Sequence, residues 1–82
     1  VGIDRDKLMT LLQDVRDSAK NLSSDDAELV SDSLETIEAE AVLEHPKKGL
    51  LRTAVAGIKA VKGTAEFGAA VVALIQFLGS IL

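Results

Sequence analysis

Chemistry in a chain of 82 residues has to come from a few side chains held close together, and the candidates are sparse. His45 is the only histidine. Histidine is a metal ligand by type, but the chain has no cysteine. A metal at His45 would need carboxylates alone, from a region that reads as a helix end. Glu40 and Glu44 stand about one helical turn apart, the spacing of paired carboxylates. General acid–base work also needs an apolar cleft that raises one of the two pKa values, and none is evident in the sequence. Ser23 and Ser24 are explained by helix capping ahead of Asp25 and Asp26. The glycines follow no phosphate-cradling pattern. No set of nucleophile, base and oxyanion donor can be assembled. The sequence therefore offers no catalytic, cofactor-binding or metal-ligating residue, and it is expected not to be an enzyme.

Charge is the first patterned feature. Residues 25–44 hold eight acids and no base, whereas 47–62 hold five bases and no acid. Blocks of opposite sign are expected to bring the second and third helices together as a hairpin, with Glu35 and Glu38 facing Arg52, Lys59 and Lys62 along its flanks. Exposed pairs of this kind contribute only about 0–1 kcal/mol each, so their effect is on register and partner choice. Two further readings stay open: one block docks on a partner of opposite sign, or the basic stretch meets an acidic lipid surface.

The second patterned feature is the apolar run from Phe67 to Leu82. Val71, Val72, Leu74, Ile75, Phe77, Leu78, Ile81 and Leu82 point in nearly every direction around a helix, whereas an ordinary surface helix buries a stripe of roughly 100°. The predicted interface is accordingly Phe67, Val71, Leu74, Ile75, Leu78, Ile81 and Leu82, covered on one side by the chain's own helices and on another by a second chain. Lipid is the alternative cover. The run would span about 24 Å as a helix, against the roughly 30 Å of a bilayer core, and Glu66, Gln76 and Ser80 weaken it further. Small residues at Gly68, Ala69, Ala73 and Gly79 suit close helix packing in either setting.

Hydrophobic spacing gives the elements that carry these features. A first helix, 4–20, has the stripe Leu8, Leu11, Leu12, Val15 and Ala19, Asp4 as N-cap, an Ile3–Leu8 staple and Asn21 as a left-handed stop. A second, 23–44, is capped by Ser23 and carries Ala27, Val30, Leu34, Ile37 and Ala41, a stripe suited to near-antiparallel packing on the first helix. Pro46 ends it and occupies the first turn of a third helix, 46–62, with Leu51, Ala54, Val55, Ile58 and Val61 inside. At Lys62-Gly63-Thr64-Ala65-Glu66 the sequence supports both a break, with Thr64 capping a fourth helix 64–82, and one continuous helix from Pro46 onward. The fold class is all-α, a small bundle of three to four helices forming a single domain over 1–82.

The segment Leu51–Leu82, LRTAVAGIKAVKGTAEFGAAVVALIQFLGSIL, resembles the C-terminal helical ends of many small uncharacterised bacterial proteins: a basic amphipathic helix, a glycine-containing junction, then an Ala/Val/Leu/Ile segment. An acidic helix opened by a stretch like Leu22-Ser23-Ser24-Asp25-Asp26 often precedes such ends. The likeness covers about 60 of the 82 positions. It implies an accessory or oligomerisation module, beside a defence or effector domain, and carries no functional residues across. The start at Val1 and the apolar Ile81-Leu82 end likewise suggest a segment of a longer protein. Tryptophan and tyrosine are absent and the net charge is −4, which disfavours nucleic acid as a partner. A domain this small buries only about 60–65% of its unfolded surface, so the expectation is a cytoplasmic homo-oligomer, with a membrane-active helical protein or a small helical binder or inhibitor as alternatives.

Overall fold

Each helix in the computed structural model, which describes residues 4–82, begins where a side chain or backbone group meets its unpaired amides. In α1 (Arg5–Ser18) the carboxylate of Asp4 accepts from the Lys7 N–H at 3.1 Å. In α2 (Ser24–Ala41) the Ser23 hydroxyl accepts from the Asp26 N–H at 3.3 Å. In α4 (Ala65–Leu78) the Thr64 hydroxyl accepts from the Phe67 N–H at 3.2 Å. Such caps are each worth about 0.5–2 kcal/mol relative to alanine. Helix α3 (Lys48–Ala60) starts differently: Lys47 is extended, without a side-chain cap, and its own N–H donates to the Glu40 carboxylate at 3.1 Å. The end of α2 is thereby tied to the beginning of α3. The Ile3 half of the expected staple lies outside the described residues.

Four expected boundaries are corrected. Helix α2 stops at Ala41, not 44, ahead of the limit that Pro46 sets at the residue before it. Pro46 itself lies ahead of α3 instead of in its first turn, since residues 42–47 are taken up by the reversal. After α1 the chain tightens into a 3-10 turn, Ala19–Asn21. Asn21 is not left-handed, and no described residue has positive φ. Helix α4 ends at Leu78, followed by a turn in which the Ile81 N–H donates to the Leu78 carbonyl at 2.9 Å.

The junction after α3 is a break. Val61 is extended at φ −78°, ψ 128°, and residues 61–64 are not helical. The reversal lays α4 antiparallel on α1: Leu22 approaches Gly63 at one end, and the Lys7 ammonium stands over the Phe77 ring at 5.9 Å near the other. The most extensive packing is within the pairs α2/α3 and α1/α4, with narrower contact of α1 on α2 and of α3 on α4. The second helix therefore has α3 as its main neighbour and not α1. In α4 the buried Phe67, Val71, Leu74 and Leu78 repeat at four, three and four residues, the same steps as Leu8, Leu12, Val15 and Ala19. Equal steps let the two stripes interdigitate along their length. One core joins all four helices, and the radius of gyration of 11.8 Å matches the roughly 12 Å of a compact chain of this length.

Gly63 is required by space. A Cβ there would lie 2.7 Å from Cδ2 of Phe67 and 3.1 Å from Cδ2 of Leu22, and Phe67 is buried with little room to yield. Gly63→Ala should lower stability by about 1–3 kcal/mol. Gly49→Ala, in open space at the start of α3, should be neutral or raise stability by about 0.4–1 kcal/mol. Thermal unfolding followed by circular dichroism checks both; equal effects at the two glycines would contradict the steric account.

Candidate interaction surface

The residues expected at an interface divide into two groups once the helices are packed. Phe67, Val71, Leu74 and Leu78 are buried in the chain's own core. Ile75, Ile81 and Leu82 are partly buried against it. The cover expected from the chain's own helices is present: α1 takes one flank of α4, and Phe77 lies beneath Lys7. The outward arc of α4 is filled by small residues, so the helix meets water with little large apolar surface. Val72 is the exception, at 54% exposed.

Val72 belongs to a groove of about 280 Å³ between α3 and α4. Phe67 and Val71 contribute the buried part of its lining, Val72 and Ile75 the α4 side, and Ile58 and Lys59 the α3 side. The groove follows from the narrow α3/α4 contact, because the break at 61–64 redirects the chain without letting the two helices close along their length. From Phe67 to Leu82 there is no charged residue, so the α4 wall is electrically neutral. A second groove, about 310 Å³, lies between α2 and α3, with Leu29 and Leu50 on it at 43% and 45% exposed and Ser33, Ala54 and Gly57 between them. Ser33 Oγ sits 3.2 Å from where a Cβ on Gly57 would be, so α2 and α3 approach closely there and the groove is shallow. Spacing does not single out Leu29 or Leu50 as surface features, and it places Val72 only within the all-round apolar run. A signal was present in Leu29 and Leu50, which are large apolar residues lying off the buried stripe of their own helices.

The charge-complementary faces are not joined inside the chain. Among the described residues the ion pairs are Arg16–Glu38, at 3.8 Å, and Lys20–Asp17, at 3.5 Å. Glu38 thus reaches α1, and Glu35, Arg52, Lys59 and Lys62 form no pair. Helical phase is the reason. At 3.6 residues per turn Lys48, Arg52 and Lys59 fall within about 40° of one another, and Lys59 stands at the α3/α4 groove. Leu50, Thr53, Ala54 and Gly57 are the side of α3 that borders α2. The cations occupy the opposite flank; Lys59 stands at the groove, while Arg52 and Lys48 share its exposed flank of α3 without lining the groove.

His45, Glu44 and Lys47 are exposed at the α2–α3 reversal, and among the described residues no three His, Cys, Asp or Glu side chains converge as a metal cage would require. Among the described residues no helix is long and apolar enough to cross a membrane. No family model, curated protein or solved structure matches the chain.

The burial pattern makes a direct prediction. Leu74 is 1% exposed at the centre of the α1/α4 packing, so Leu74→Asp should abolish the cooperative helical signal by placing a carboxylate in an apolar core. A folded Leu74→Asp chain with wild-type helical content would show that α4 is not packed as described.

Proposed function

We propose that the chain is a non-catalytic protein-interaction and self-association module, and that its contact surface is the α3/α4 groove with the outward face of α4. The observation that carries this reading is the combination at that groove of an apolar floor, a half-exposed Val72 and a neutral α4 wall. Association buries apolar surface at about 25 cal/mol per Å², and neutral, small-residue walls impose little desolvation cost on an approaching helix. Size favours the same reading, because a domain of this length stands to gain stability by covering what its own core leaves open.

Insertion of α4 into a bilayer is the less favoured alternative. It would strip Phe67, Val71, Leu74 and Leu78 from the core, and the helix, at 14 residues, would reach only about 21 Å. An enzymatic role has no supporting side-chain arrangement.

The test uses Val72, because it is exposed and its replacement leaves the core intact. The wild-type chain should show concentration-dependent association in sedimentation equilibrium. Val72→Glu should keep the helical content and shift the equilibrium to monomer, by about tenfold or more in dissociation constant. A wild-type chain that stays monomeric at every concentration, or a Val72→Glu chain that associates as the wild type does, would remove the reading.

A further inference from the structure

We propose that the α3/α4 groove is occupied by the α2 helix of a second copy, so that copies join head to tail. The inference rests on the self-association reading and specifies which two faces meet.

The chain carries its charge in two blocks that the fold keeps apart. Lys48, Arg52 and Lys59 line the outer flank of α3, exposed and without an acid within ion-pair distance among the described residues. On α2, Asp25, Glu28, Asp32 and Glu35 recur at three- and four-residue steps and are exposed. They form a ridge on the side away from the buried Val30, Leu34 and Ile37. Leu29 stands beside that ridge, 43% exposed, with acids at one residue before it and three after. It is a large apolar side chain between the acidic ridge and the α2/α3 groove. The groove offers the converse: an apolar floor of Phe67 and Val71 with Lys59 at its α3 edge, in line with Arg52 and Lys48 on the same flank of α3.

Electrostatics then selects the geometry. Pairing two grooves across a two-fold axis would bring two cationic flanks together, and like charges at close quarters are unfavourable. Seating the acidic ridge of α2 on the cationic flank of α3 brings opposite charges together and directs Leu29 toward the floor. The two faces are different surfaces of one molecule, so the contact is heterologous. Copies therefore propagate as a ring or an open chain, according to whether the rotation closes.

The experiment is a charge exchange between full-length chains, read by sedimentation velocity with circular dichroism to confirm folding. One variant carries Arg52→Glu with Lys59→Glu, the other Glu28→Lys with Asp32→Lys; all four positions are exposed. Each variant alone should associate about tenfold or more weakly than the wild type, and an equimolar mixture should recover association, since acidic and basic faces are then available across the two chains. Wild-type association should also weaken as the Debye length falls from about 30 Å at 0.01 M to about 3 Å at 1 M salt.

Folded variants that assemble alone as the wild type does, or a mixture that recovers nothing, would overturn the head-to-tail contact. So would binding of the wild-type chain to phosphatidylserine vesicles that is lost in the Arg52→Glu, Lys59→Glu variant while its self-association is unchanged. Loss of association in Val72→Glu together with insensitivity to the charge exchange would sink this contact alone and leave the self-association reading standing.

Discussion

The fold depends on the close approach of Phe67 to the backbone at Gly63. That contact allows the chain to leave α3 at Ala60, turn through Val61–Thr64 and return as α4 with its first aromatic already inside the core. A side chain at 63 would occupy the volume that Phe67 fills. A continuous helix over 48–78 would be about 46 Å long, beyond the 37 Å longest dimension of the bundle. Its last turns would have no helix beside them. The reversal converts an apolar segment with too many greasy sides into one wall of a shared core.

The rest of the packing follows from that reversal. Once α4 lies along α1, the stripes of the two helices match step for step, and the α2/α3 hairpin closes the other side through the small residues Ser33, Ala54 and Gly57. The core is aliphatic apart from Phe67, and among the described residues no buried side-chain polar atom lacks a partner. The same turn that encloses α4 also holds α3 and α4 apart. The groove with Phe67 and Val71 at its base is thus a by-product of how the core is completed, and its lining is held in place by the most buried part of the molecule.

Charge is arranged by helical phase and not by neighbourhood in sequence. Acidic and basic blocks adjacent along the chain do form adjacent helices, as their signs suggest. Within α3, however, the face toward α2 consists of Leu50, Thr53, Ala54 and Gly57, and the cations fall on the far flank. The hairpin is held by side-chain packing and by the Glu40 carboxylate on the Lys47 amide, and the charges remain on the surface. Segregated, unpaired charge of both signs costs little in water. It gives the outside of the bundle two faces of opposite character.

The features legible from residue order alone are local ones. The caps at Asp4, Ser23 and Thr64 were legible because a cap involves residues only two or three apart. The buried stripes of α1, α2 and α3 were legible because a helix repeats on a scale shorter than the helix, and the absence of strands among the described residues accords with the all-α reading. Tertiary structure decided what depends on residues distant in the chain. The four-helix outcome over a continuous rod turned on Phe67 and Leu22 meeting at Gly63. The end of α2 at Ala41 turned on the geometry of the return past Pro46. The interior placement of Phe67, Val71, Leu74 and Leu78 turned on α1 being free to cover them. Hydrophobic periodicity states how much of a helix must be covered and on which sides. It carries no information about whether the cover is the same chain or another, since both present the same apolar surface, and only the path of the backbone makes that choice.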